Sequence, residues 1–346
     1  MIDENKLIIK NNFDKELAKE WKELEKDSNI SIFQSYDWNM HWQENCNHNF
    51  ENIILLYYKK NKLISILPLI IYKKYFLKIL SWSGFPFSDY NQPLIRNNYS
   101  LDPLDLKFLI SILSKKFRFD VIHLVNNINN KIFDLNSYKS NKAYKLIFKN
   151  HSSCDLIINK FKKKINYEEN RLKKKFNYNI YLNPSTNKKL EILNFFVEKK
   201  MEQLDRTNAW NYLKIKIFKD YIFKLEKFDQ NKISFSCIEV NGKIISSHIG
   251  YTLNKNYYYI FPAYDYSYKK FSPGNILLFK LIEIYKTKNF IDFDLTIGEE
   301  NYKKSFTNYK IDLYDYINCR TLFGIYYFLG VKFKLILKGI ILNKNN

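Results

Sequence analysis

Residues 257–306, YYYIFPAYDYSYKKFSPGNILLFKLIEIYKTKNFIDFDLTIGEENYKKSF, decide the fold. The run opens as an aromatic strand and passes through a basic loop ending in Ser272-Pro273-Gly274-Asn275. It continues as a mostly apolar helix, with a thin polar stripe at Lys280 and Glu283 before the polar end at Lys286–Lys288. Such a helix is buried against a sheet, which holds the preceding loop rigidly. A second strand, FIDFDL at 290–295, follows, and then a polar segment led by Gly298.

Each part of this run carries a chemical reading and a plain one. At Lys269–Asn275 the glycine permits close backbone approach, and free N–H groups at a helix start attract phosphate. Lys269, Lys270, Ser272, Gly274, Asn275 and Ile276 are the candidate contacts; the plain reading is an ordinary Ser/Pro/Gly helix start. Asp292 and Asp294 fall on one face of their strand with Phe293 opposite, which suits a general base for an amine or hydroxyl. They read equally as strand-terminal acids matched to a loop and a surface lysine. In Gly298–Phe306, Tyr302 can protonate a leaving group and Lys303 can steady negative charge. Local residue types there also fit a turn followed by an amphipathic edge strand. His248, mid-strand, is a further catalytic candidate or a satisfied core histidine. Tyr264, Asp265, Asp292 and Glu299 are candidates for contact with substrate. So are Trp82, Asp89 and Tyr90 of the aromatic run WSGFPFSDY, which equally reads as core packing.

Working outward, KISFSCIEV, the Asn241-Gly242 turn and KIISSHIGYTL form a hairpin, Asn-Gly between apolar runs being the strongest short hairpin signal. Upstream, the spacing predicts helices over 159–176, 187–204 and 214–227. In the second of these, Leu190, Leu193, Val197, Met201 and Leu204 form the apolar stripe. The first half has the same order: a hairpin turning at Lys60-Asn61-Lys62, a strand at LKILSWSGF, a helix over 104–115 and a strand at 119–124. A helix over 15–26 and another from FQSYDWNMHW precede it. Residues 127–150, rich in Asn and Lys, read as a loop with a helical piece. The chain thus reads as two copies of one α+β unit, over 1–150 and 151–320, followed by a basic apolar helix over 321–346. Only the second copy has SPGN before its helix, so the first reads as a scaffold or acceptor-side domain and the second as the catalytic one.

Composition sets bounds. A length of 346 residues suits two domains, and 46% hydrophobic content argues for a globular chain. The net charge of +21 is carried almost wholly by lysine, with arginine only at positions 96, 118, 171, 206 and 320. Base readout and bidentate phosphate recognition lean on arginine, so no specific nucleic-acid partner is expected. Four scattered cysteines, with no CxxC spacing and no His pair near them, argue against a zinc site or disulfide framework and fit a reducing cytoplasm. The opening MIDENKLIIKNNF lacks a signal-peptide core. In LFGIYYFLGVKFKLILKGIIL (322–342), three lysines oppose a membrane span; the segment reads as a helix packed on its domain or lying peripherally on a membrane.

Taken together, FQSYDWNMHW, ISILPL, the Ser-Asp-Tyr-x-x-Pro-Leu run at 88–94, the basic helix around Arg171, AYDYSYKKFSPGNILL and FDLTIGEENYKKSF resemble the CelD/BcsL type of the GNAT acyltransferase superfamily, relatives of the Fem aminoacyltransferases. The resemblance spans about 30–320 and rests on the order and spacing of several weak motifs. It implies an α+β fold of tandem GNAT-like domains, each a mixed twisted sheet flanked by helices. It also implies acetyl-CoA or another acyl-CoA as co-substrate, bound by the C-terminal half without a metal. The acceptor it implies is an amino-sugar or related cell-envelope polysaccharide precursor. The usual pyrophosphate loop of that superfamily is Gln/Arg-x-x-Gly-x-Gly/Ala, whereas here Lys269 or Lys270 and Gly274 are the nearest equivalents. Two other readings fit the same sequence: a Fem-like enzyme using aminoacyl-tRNA, and a non-catalytic module that binds a glycan or scaffolds an assembly.

Overall fold

The computed structural model describes residues 5–46, 50–133, 137–149 and 151–344. Its first elements are β1 (Asn5–Lys10), α1 (Lys15–Lys26), α2 (Tyr36–Cys46), β2 (Phe50–Lys59), β3 (Lys62–Lys74), β4 (Leu77–Trp82) and β5 (Leu94–Ile95). Next come α3 (Pro103–Lys116), β6 (Val121–Asn127), β7 (Ser137–Ile147), α4 (His151–Lys175), β8 (Tyr178–Leu182) and α5 (Thr186–Arg206). The chain continues with α6 (Lys216–Phe223), β9 (Ile233–Val240), β10 (Lys243–Leu253), β11 (Asn256–Tyr264) and α7 (Pro273–Thr287). It closes with β12 (Asp292–Ile297), α8 (Asn301–Ser305), β13 (Tyr309–Cys319) and α9 (Leu322–Lys344). Two compact units emerge, residues 1–140 with 312–346, and residues 141–311.

In the first unit the strand order is β1-β2-β3-β4-β6-β13, with the short β5 beside β3. All neighbours are antiparallel except β4 and β6, which run parallel at Ile79↔Val121 and Leu80↔Ile122. Asp14 caps α1 by accepting from the Leu17 N–H, and the helix buries Leu17, Trp21 and Leu24. Asp102 and Asp105 form a capping box that starts α3, and its Leu106, Leu109 and Leu113 join the core of β2, β3 and β4.

The second unit has the same plan, β8-β9-β10-β11-β12-β7, again antiparallel except for one parallel pair, β11 with β12. Its core lies under α4 and α7, where Ile165, Leu172, Ile276, Phe279 and Ile282 meet Tyr257, Tyr259 and Phe293. The hairpin–strand–helix–strand repeat read in the sequence is therefore present in both units, and the mixed α/β class is borne out.

Three local expectations are corrected. Residues 137–147 form β7, because pairing of its Ala143–Ile147 end with β12 outweighs the loop-like Asn/Lys composition. The stripe of α5 is rotated: Ile192, Leu193, Phe196 and Val197 are buried while Leu190 is exposed, because Phe196 packs edge-on against Phe261 of β11. After Gly298 the chain forms the short helix α8 where an edge strand was the plain alternative.

Candidate functional site

In the second unit, β11 and β12 are in parallel register at Asn256↔Asp292, Tyr257↔Phe293 and Tyr258↔Asp294, and pair no further. Beyond this point both strands are irregular. The β10–β11 register shifts by one residue between Ile249 and Gly250, leaving Ile260 bulged. The β12–β7 register shifts between Asp294 and Ile297, with Thr296 in the left-handed region at φ 59°. The two parallel strands thus separate just past Asp294. Asp294 lies mid-strand and has no solvent exposure, in contrast to the strand-end position expected of it.

Asp294 is held on both carboxylate oxygens. One accepts the Thr296 N–H at 2.8 Å, and the other pairs with the Lys145 ammonium at 2.9 Å. Lys145 stands directly across from Asp294 on β7 and also reaches Asp292 at 3.4 Å. Burial alone would lower the Lys145 pKa, but Asp294 and then Asp292 outweigh it and raise it above its ordinary value. Burial pushes the Asp292 carboxyl up to about 6, with Lys145 opposing and Asp294 adding to the rise. Asp292 Oδ1 has no hydrogen-bond partner among the described residues. The cluster is one buried cation between two buried carboxylates, one of which titrates near neutrality. Lys145 was missed in the sequence because its segment read as a loop; the short, largely apolar run AYKLIF at 143–148 was the available signal.

The SPGN loop enters α7 as expected. Ser272, at φ 51° and ψ 47°, is its N-cap, and Pro273 takes the first helical position. Its donors are fewer than the sequence implied. The N–H groups of Ser272, Asn275 and Ile276 donate to Lys269 O or Ser272 O, and Pro273 has none. Gly274 is left as the first-turn donor without an acceptor among the described residues. A Cβ at Gly274 would meet the Tyr264 ring at ordinary contact, 3.6 Å. The rim of the loop is cationic. Lys269 Nζ lies 3.1 Å from Tyr266 Oη, the Arg206 guanidinium stacks on the Tyr266 ring at 3.8 Å, and Arg171 donates to the Lys270 carbonyl. Arg206, at the end of α5, joins this loop by tertiary packing that no local motif announces.

The remaining candidates divide. Tyr302 packs on the core under α4 and α7. Lys303 is buried and turned inward, donating to the Ile297 carbonyl with Glu300 at 3.6 Å, so it braces the end of β12. Glu299 pairs with Lys142 at 2.8 Å. Asp265 is consumed as a cap on Ser267, through both its N–H and its hydroxyl. His248 is fully buried on the Phe293 side of the sheet, stacked on Tyr259 at 3.8 Å with Nδ1 3.1 Å from Tyr257 Oη, away from the face that carries Asp294. Burial depresses its pKa and keeps the ring neutral. In the first unit, Trp82 and Tyr90 are 2% and 1% exposed and fill the core instead of lining a cleft. Trp82 Nε1 donates to Asn127 Oδ1 at 2.8 Å. Asp89 is half-buried in the same loop. No group of three or more metal-ligating side chains occurs among the described residues.

Residues 159–304 match the family model described as an acetyltransferase (GNAT) domain. The match covers the strand–SPGN–helix–strand run and lies within the second unit, which is therefore similar to a GNAT domain. Solved structures agree in fold. A conserved protein of unknown function from Bacteroides thetaiotaomicron is 12% identical, with 91% of this chain and 100% of that one covered at TM-score 0.58. FemX is 9% identical over 90% and 97% of the two chains at TM-score 0.57. A tandem GNAT protein from the clavulanic acid biosynthesis pathway is 7% identical over 91% and 98% at TM-score 0.56. At these identities the likeness is one of fold. No curated protein matches the chain in sequence.

Proposed function

We propose that this chain is an acyl-CoA-dependent N-acyltransferase, most simply an acetyltransferase, acting on an amino-sugar or related cell-envelope polysaccharide precursor. The observation that carries the reading is the separation of β11 and β12 just past Tyr258↔Asp294, in the unit whose helix α7 begins at Pro273 and carries Gly274 in its first turn. The pyrophosphate lies over the Gly274 N–H, with Lys269, Lys270 and Arg206 supplying charge from the rim. The pantetheine arm runs between the separated strands, whose backbone N–H groups polarise the thioester carbonyl. The acceptor amine attacks the carbonyl carbon and its proton passes through water to the Asp292–Lys145–Asp294 cluster. Asp294, paired with Lys145, positions the cluster, and Asp292 is the carboxylate whose proton affinity suits exchange near neutrality. The C–S bond then breaks, and Tyr302 gives its proton to the departing thiolate.

A thiol-release screen of acetyl-CoA and longer acyl-CoAs against amino-sugars and nucleotide-sugars tests this. Acceptor-dependent thiol release supports it; none with any pair, together with no thermal shift by acetyl-CoA, leaves the binding-module reading. The likeness to FemX favours one competing reading, an aminoacyl-tRNA donor. Transfer from aminoacyl-tRNA without thiol release would establish that alternative.

A further inference from the structure

Helix α9 is apolar on both its inner and outer faces. Tyr327, Phe328 and Val331 point inward and pack on Leu77, Ile79, Val121 and Ile317. Tyr327 Oη lies 2.9 Å from His123 Nδ1. Gly324 lets the helix start sit so close that a Cβ would stand 2.4 Å from the Asp120 carbonyl oxygen. This packing fixes which face turns away from the unit. That outer face carries Phe323, Tyr326, Leu329 and Phe333, each more than half exposed. A helix that is hydrophobic all round calls for a cover on every side, and here the outer side has none among the described residues of the unit.

The patch does not end with the helix. The turn joining β3 to β4 presents Tyr75 and Phe76, 90% and 73% exposed, and the Phe76 ring meets Phe323 edge-on at 5.2 Å. Tyr75 sits at φ 56°, a position that turn chemistry assigns to Gly, Asn or Asp. Two aromatics at such a tip serve neither the turn nor the core. The charge carried by these two segments is of one sign, while Asp120 beside the helix start accepts from the Thr321 hydroxyl and the Lys78 N–H. Lys73 and Lys74 flank the tip, Arg320 precedes the helix and Lys332 lies along it, with no Asp or Glu in residues 72–79 or 320–333. Lys74 and Lys332 lie over the rings of Tyr327 and Phe328 at 5.4 and 5.3 Å, so the cations border the aromatic surface. No helix among the described residues is long and apolar enough to cross a membrane.

We propose that the outer face of α9 and the Tyr75–Phe76 turn together form a docking surface for an anionic lipid bilayer. The helix lies in the interface, the two turn aromatics insert beside it, and the basic border meets the lipid headgroups. The apolar area, the aromatic enrichment and the basic residues of both segments each match that occupant; another protein surface would need its own acidic border to match. This proposal is independent of the catalytic reading.

Sedimentation of the full chain with vesicles of phosphatidylcholine, with and without phosphatidylglycerol, tests it, beside light scattering of the protein alone. The expected result is binding that requires phosphatidylglycerol and weakens with salt. The double variant F76S/Y326S should bind on the order of tenfold or more weakly while keeping its circular dichroism and melting temperature. K73Q/K74Q should weaken binding only where phosphatidylglycerol is present. No sedimentation with either vesicle would overturn the proposal, as would unchanged binding by F76S/Y326S. A dimer in solution that F76S/Y326S converts to monomer would assign the patch to a second copy of the chain instead.

Discussion

Lys145 ties the chemistry proposed for the second unit to its stability, because it is the cation shared by two buried carboxylates. Lys145→Met leaves Asp294 buried without its ammonium, which should destabilise the fold by about 3–5 kcal/mol. Adding Asp294→Asn should recover much of that loss, and a double-mutant cycle in urea measures the coupling. Asp294→Asn alone should lower acceptor-dependent thiol release by about a hundredfold or more with little change in acyl-CoA affinity; full activity would remove Asp294 from the mechanism. Asp292 gives a pH signature of its own. Its carboxyl is raised in the fold to about 6 from an ordinary 3.8, so the folded state binds more protons than the unfolded state in that window. Its ionisation therefore erodes stability as pH rises from about 4 to about 6. Asp292→Asn should compare most favourably with the parent above that window and least favourably below it, read as melting temperatures across pH. Neither Lys145 nor the Asp292–Asp294 contrast was legible in the sequence. The two aspartates look alike there, and the cross-strand cation that separates them lies about 150 residues away in sequence.

At the scale of elements, helix α7 and its loop were the most legible part of the chain, because local signals agreed: a breaker pair, a glycine and a nearly unbroken apolar run. What the sequence overstated was the number of outward donors, since αL geometry at Ser272 turns its carbonyl back onto the Asn275 and Ile276 N–H groups. Gly274 has space for a methyl group, so Gly274→Ala should fold as well as the parent or slightly better. If phosphate lies against that backbone, the same substitution should weaken acyl-CoA binding in calorimetry. Gly250 behaves oppositely. A Cβ there would stand 2.4 Å from Tyr257 Oη, which is already fixed by Ser234 and His248. Gly250→Ala should therefore cost about 1–3 kcal/mol in chemical denaturation. Strand β7 shows the converse limit of local reading, since its polar residues carry little strand signal and its place is set by partners remote in sequence.

At the scale of the molecule, the doubled order of elements was visible in the sequence, whereas the way the strands are shared was not. The sixth strand of the first unit, β13, follows the fifth strand of the second; the sixth strand of the second, β7, follows the fifth of the first. Fragment 137–311 holds all six strands of its sheet and should melt cooperatively in calorimetry. Fragment 1–150 lacks β13, leaves β6 as an open edge, and should aggregate in sedimentation; a soluble, cooperatively melting 1–150 would contradict this. The arrangement also orders events in time. During synthesis the residues that finish the second unit emerge before those that finish the first, so the half made earliest waits longest for its last strand. A stalled or prematurely ended chain would leave the first half, and not the half with the SPGN loop, in need of a chaperone.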